Sequence, residues 1–193
     1  MNTIGFCCTV ADAFRFLVER HGYEMKVRNQ QLVDFISPRM LVRIRWDPRS
    51  GEIDTEISSR AGPHEPAFRI ADVLRIAGVS IQALAGAFQA SDEARITAVV
   101  RRLADLLREY GGNILEGDPF ALRRLANDRA ESAVIETQES RYRSLRSRAE
   151  SAWNRKDFRA VNDSYSQMEE VLTQVERTRL EYARSRLRPA GPG

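Results

Sequence analysis

Four groups of residues have the types and spacing to do chemistry: Cys7 with Cys8, His21 with His64, Glu116 with Asp118, and the arginines Arg141, Arg143, Arg146 and Arg148 around Tyr142. Adjacent thiols could form only a strained vicinal disulfide, so Cys7 and Cys8 are read as reduced, small apolar side chains. Neither histidine has a cysteine at metal-ligand spacing. His64-x-Pro66 also lacks the glutamate and the Pro-Cys-x-x-Cys of a zinc deaminase. His21 is predicted at a helix C-terminus, where a cation suits the dipole, and His64 in a Pro-rich loop. No metal site and no cofactor are expected.

Glu116 and Asp118 flank Gly117, and paired carboxylates can exchange protons with a substrate or hold a cation. Asp118-Pro119 also reads as a helix cap followed by proline at the first helical position, which accounts for the aspartate without catalysis. The four arginines around Tyr142 could grip a nucleic-acid backbone. They could equally pair with acids across a helical hairpin. Folding the chain at residues 154–157 brings Arg148 beside Asp163 and places Arg141 and Arg143 near Glu169 and Glu170. The same fold brings Arg177 and Arg179 toward Glu131 and Glu136.

Composition weighs on that choice. The chain has 193 residues and a net charge of +3, and 28 of its 30 basic residues are Arg. Residues 1–117 carry 15 basic and 15 acidic side chains; residues 118–193 carry 15 and 12. So small a surplus favours pairing between helices over a phosphate-binding stripe. Glycine-rich phosphate loops, G-x-S-x-G and H-E-x-x-H are all missing from the sequence. The N-terminus lacks a basic leader, and the longest uncharged stretch is too short and too interrupted to span a membrane. A cytoplasmic protein with no membrane contact is expected.

The elements that must position these groups follow from periodicity. A helix is predicted over residues 10–21, capped by Thr9 and stopped by Gly22. Tyr23, Met25 and Val27 alternate with charges as a half-buried strand, and residues 32–36 form a second. Residues 40–46 and 53–58 form a hairpin across the Asp47-to-Gly51 loop. With Asp47 opposite Glu52, Arg45 faces Asp54, Ile44 faces Thr55, Arg43 faces Glu56 and Val42 faces Ile57. Opposite charges then meet on one face and apolar side chains on the other. Helices are predicted at 68–77 and, capped by Ser91, through Tyr110 with an apolar stripe from Ile96. Between them, residues 79–90 read as a short helix or an apolar connector. Beyond Asp118 two helical stripes, Ile135 to Ala149 and Phe158 to Val175, imply a long antiparallel hairpin.

The fold class is therefore α+β: an N-terminal helix, a small antiparallel sheet of three or four strands, packed helices and a C-terminal antiparallel helical hairpin. Its domains are residues 1–117, a helical extension over 118–188, and a disordered tail over 189–193.

Residues 107–120, Leu-Arg-Glu-Tyr-Gly-Gly-Asn-Ile-Leu-Glu-Gly-Asp-Pro-Phe, show a helix ending in Tyr-Gly, an L-x-G-D turn and a Phe-initiated helix. This pattern, with the Trp46-Asp-Pro-x-x-Gly-Glu-Ile53 hairpin, resembles a family of small, largely uncharacterised bacterial α+β proteins. Some members of that family resemble immunity proteins that neutralise toxins. The resemblance covers residues 10–126 and implies a shared fold; it carries no catalytic residue.

The first functional expectation is a non-enzymatic protein-binding module, immunity- or antitoxin-like or defence-associated, whose partner is a toxin or a neighbouring-gene product. Its candidate contact residues are Val79, Ile81, Leu84 and Phe88 in the apolar stretch, and Arg141, Tyr142, Arg146 and Arg148 in the tail. The hairpin could also join two copies of the chain. The alternatives are a nucleic-acid-associated accessory protein using the Arg141-to-Arg148 face, and an enzyme with an unrecognised carboxylate site.

Overall fold

A computed structural model describes residues 4–62, 65–80 and 88–187. The chain is α+β and divides into two compact units, Met1–Ala130 and Glu131–Gly193. Among the described residues no helix is long and apolar enough to cross a membrane.

The N-terminal unit opens with α1 (Ile4–Ala13) and α2 (Arg15–His21), separated by a turn at the buried Phe14. The first helix therefore starts earlier than its apolar spacing predicts. Thr9 lies inside it, donating from Oγ1 to the Gly5 carbonyl at 2.8 Å, and caps nothing. Gly22 does stop α2 in the left-handed region, with φ of 68°.

Five strands follow as an antiparallel meander in the order β1-β2-β3-β4-β5: Glu24–Asn29, Leu32–Ile36, Met40–Trp46, Ile53–Ser59 and Ala67–Arg69. The hairpin of β3 and β4 takes the register read from its charges. Val42 pairs Ile57, Arg43 pairs Glu56, Ile44 pairs Thr55 and Arg45 pairs Asp54. The fifth strand occupies residues expected to be helical, and α3 (Ile70–Ile76) begins only after it. β1 lies at the sheet edge with every side chain exposed, so its alternation does not bury Met25 or Val27.

The apolar face of the sheet, with Val33, Phe35, Val42, Ile44 and Ile57 fully buried, packs with helices in one core. The main cover is α4 (Glu93–Tyr110), whose Ile96, Val99, Val100, Leu103 and Leu107 form the predicted stripe. Its cap is Asp92, which accepts from the Arg95 N–H at 2.9 Å, rather than Ser91. The short α5 (Gly112–Leu115) and Gly117, at φ 71°, lead to Asp118. Asp118 Oδ1 accepts from the N–H groups of Phe120 and Ala121, capping α6 (Pro119–Asn154). Leu125 on this helix is completely buried in the same core.

Tyr23 ties the start of the sheet to α5: its hydroxyl donates to the Leu115 carbonyl at 2.6 Å inside the core. Burial pushes the phenol up to about 12, against a slight opposing effect of Ser37. The neutral form is the one the fold favours. Its contribution is full below the ordinary phenol value of 10.0 and is lost as pH rises through about 12. Tyr23→Phe should cost about 1–2 kcal/mol at neutral pH by leaving the carbonyl unpaired. It should also flatten the alkaline end of the stability profile, read as urea midpoints against pH. An unchanged alkaline slope would refute this account.

In the C-terminal unit the last turns of α6 are joined to α7 (Phe158–Tyr165), a 3-10 segment (Ser166–Val171) and α8 (Gln174–Leu187). The sequence predicts one helix from Asp157 to the end of the arm. It is interrupted instead at Met168, where the backbone leaves helical geometry. Asp157 caps α7, accepting from the Ala160 N–H at 3.1 Å. Leu145, Ala149, Ala152, Val161, Tyr165, Met168, Leu172, Leu180 and Ala183 make a second buried cluster. Ile135 and Val175, expected in the helical stripes, are 56% and 62% exposed.

Candidate functional site

The predicted contact residues that are described belong to two different units of the chain. Val79 and Phe88 are half-buried and pack against the N-terminal core, and the Phe88 carbonyl accepts from the Ile53 N–H at 2.8 Å. Ile81, Leu84 and His64 lie outside the described residues. Tyr142 packs on the C-terminal cluster and accepts from Gln138 Nε2 at 2.8 Å. Arg141 reaches Gln167, whereas Arg146 donates to Glu176 at 2.9 Å and to the Val171 carbonyl at 2.8 Å. Arg148 is exposed.

The anticipated ion-pair register of the tail is not adopted. Among the described residues, the tail's carboxylate partners are Glu176 for Arg146 and Glu169 for Arg184, the latter at 2.8 Å. The break from Met168 to the extended Leu172 is the reason: α8 becomes a third segment, so acids meet different arginines from those of a two-helix fold. The guanidinium of Arg184 holds the Glu169 carboxyl below its ordinary range. Burial alone would raise Glu176, but hydrogen bonds from Thr173 and Arg146 outweigh it and leave the carboxyl lowered.

His21 is half-buried with its ring edge-on to Phe16, at 6.2 Å between centroids. Both cysteines are free; burial, with Cys8 beside it, raises the Cys7 thiol. The Asp118 carboxylate is engaged in capping.

What the structure does assemble is a cleft in the C-terminal unit. Its floor begins with Trp153 at the end of α6. The chain turns there in a Schellman pattern, with Lys156 N–H donating to the Trp153 carbonyl and Asp157 N–H to the Ala152 carbonyl. Lys156 occupies the left-handed position at φ 60°, where glycine is usual. The turn presents its side chain, and then Phe158, to the cleft. From the other wall α8 contributes Val175, Thr178, Arg179, Tyr182 and Arg186. Their three- and four-residue spacing makes a single helical stripe. Leu180 and Ala183 of the same helix are in the buried cluster, so α8 has apolar groups on two faces.

The cleft measures about 750 Å³ and is open. Trp153, Phe158 and Tyr182 meet edge to face in a triangle, with centroids 5.5–6.1 Å apart and interplanar angles near 70°. Arg179 lies over the Trp153 ring at 5.3 Å and Arg186 over Tyr182 at 5.0 Å. The lining residues include three cations and no carboxylate. Such a surface offers an apolar socket with a positive rim. Its volume is in the range that accepts ligands or anchoring side chains.

Sequence reasoning placed Val175 at the end of an apolar helical stripe. The signal for the cleft was present in the 175, 178, 179, 182, 186 spacing. That spacing is shared by any helix facing a core. Compared with known proteins, the chain matches no protein-family model, no curated protein and no solved structure.

Proposed function

We propose that the protein is a non-enzymatic binding module whose partner is another protein, engaged through the aromatic cleft of the C-terminal unit. The observation that carries this reading is the open triangle of Trp153, Phe158 and Tyr182 flanked by Arg179 and Arg186. Tryptophan, tyrosine and arginine dominate the energetics of protein interfaces: the two aromatics bury large areas while losing few rotamers, and arginine adds charge-assisted hydrogen bonds. An open apolar socket rimmed by such residues gains most when a partner's side chain displaces its water.

Residues 107–120 resemble a family of small, largely uncharacterised bacterial proteins, some of which resemble immunity proteins, and a toxin or a neighbouring-gene product in the cytoplasm would suit that resemblance. The reading in which the Arg141-to-Arg148 face grips nucleic acid is weakened. Arg146 is already paired with Glu176, at 2.9 Å.

The test is affinity capture from the native host with the full chain and with Tyr182→Ala, scored by mass spectrometry. A protein recovered in fixed stoichiometry by the wild type and lost with the variant supports the reading. Equal recovery by both chains, or recovery of nucleic acid alone, refutes it. Circular dichroism of Tyr182→Ala checks that the helices persist.

A further inference from the structure

We infer that the occupant of the cleft is an acidic protein segment: an aromatic or large aliphatic side chain that enters the socket, flanked by carboxylates that meet Lys156, Arg179 and Arg186. This rests on the binding reading above and adds the chemistry of the ligand.

Three observations lead to it. The first is charge complementarity. Three cations line the cleft and no carboxylate does, although acids are plentiful elsewhere in the unit. A neutral or basic segment would bury part of that rim without compensation, and an acidic one would pair with it.

The second is the state of the ring faces. Nucleic-acid bases bind such surfaces by stacking on open aromatic faces. Here a guanidinium already lies over Trp153, another lies over Tyr182 and donates to its hydroxyl, and the three rings pack edge to face on one another. What remains is an apolar socket with charges at its mouth, suited to a side chain rather than to a stacked base.

The third is Lys156. Its φ of 60° is strained for any side chain, and glycine would make the same turn without that strain. The lysine there places an ammonium group on the cleft lining. The strain is explained if that charge meets a ligand.

The experiment pans a phage-displayed random peptide library against the full chain, with Tyr182→Ala as counter-selection. Enriched peptides should carry an aromatic or leucine side chain next to two or more carboxylates. A synthetic representative should bind about tenfold more weakly to the Arg179→Glu/Arg186→Glu chain. Lys156→Gly keeps the turn and removes its strain. It should raise the unfolding midpoint and weaken the same peptide about threefold. No enrichment, enrichment of peptides without acids, or peptides indifferent to these variants would overturn the inference. So would tighter, equally sensitive binding of a single-stranded oligothymidine. If the library result fails while host capture still depends on Tyr182, the binding module stands and only the acidic ligand is wrong.

Discussion

The Tyr165→Ala chain is expected to lose its C-terminal unit while the N-terminal unit stays folded. Tyr165 is the bulkiest of the fully buried side chains, and it sits in a cluster to which Ala149, Ala152 and Ala183 add little mass. Removing a large buried aromatic costs about 3–5 kcal/mol, through lost burial and the cavity left behind. The unit spans Glu131–Gly193. At typical stabilities per residue a chain of that length holds about 3–9 kcal/mol in total. The substitution therefore removes most of what the unit has. The N-terminal core, built from separate residues, loses no contact within its own cluster.

Two tryptophans make the outcome readable, because Trp46 belongs to the N-terminal core and Trp153 packs on the C-terminal cluster. In a Trp46→Phe background, Tyr165→Ala should abolish the near-ultraviolet signal of Trp153. In a Trp153→Phe background the Trp46 signal should persist. Tyr165→Phe, which keeps the ring, should leave both signals in place. Loss of both signals together would mean that the two clusters form one cooperative unit.

Why some of this architecture was legible and some was not comes down to how local the deciding interactions are. The β3–β4 pairing could be read because Arg43, Arg45, Asp54 and Glu56 alternate with apolar residues on both sides of one short loop. A shift of one residue would oppose charge to core, so a single register survives. The start of α8 was equally local and was missed. Thr173 and Glu176 form a reciprocal capping pair, with Thr173 N–H donating to Glu176 at 2.7 Å and Glu176 N–H to Thr173 Oγ1 at 3.3 Å. That T-x-x-E signature lay inside an apolar stripe from Phe158 to Val175 that looked continuous. Periodicity concealed the cap, and with it the third segment that exposes Val175.

The cleft is less legible for a different reason. Its stripe on α8 has the spacing of a buried face, and nothing in the sequence distinguishes a face covered by this chain from one left open. Only the placement of Leu180 and Ala183 against α7, with Tyr182 left 41% exposed, separates the two. The strain at Lys156 is equally silent in sequence, since lysine in a polar turn looks ordinary until φ is known.

Asp34→Ala is expected to destabilise the N-terminal unit by about 2–3 kcal/mol and to change how its stability responds to acid. Asp34 lies in the middle of β2 with a fully buried side chain, an unusual position for a carboxylate. Its neighbours explain it. Across the sheet the paired positions run Lys26, Asp34, Arg43, Glu56 and Arg69, alternating in sign from one edge to the other. Arg43 donates from Nε to Asp34 at 2.8 Å. Arg28 does the same at 2.8 Å, from the point where the β1 register shifts between Val27 and Asn29. The irregularity re-aims one arginine so that two guanidinium groups cover one carboxylate. Both arginines retain access to water, at 49% and 33% exposure, so they can rehydrate when the carboxylate is gone. That keeps the expected loss below the 3–5 kcal/mol typical of a fully buried pair.

The acid response follows from the same geometry. Burial would raise the Asp34 carboxyl, but the hydrogen bonds and charges of Arg43 and Arg28 outweigh it and hold the group below its ordinary value of 3.8. A lowered carboxyl contributes stability in full above that ordinary value, and the contribution disappears as pH falls through the lowered one. Wild type should therefore lose stability steeply below about pH 4, while Asp34→Ala, less stable at neutral pH, should show a shallower fall and converge on it. Urea midpoints taken from neutral pH down to strong acid test both halves. Curves that stay parallel throughout would mean that the two arginines contribute nothing through this carboxylate's charge. The alternating row across the sheet would then be only surface decoration.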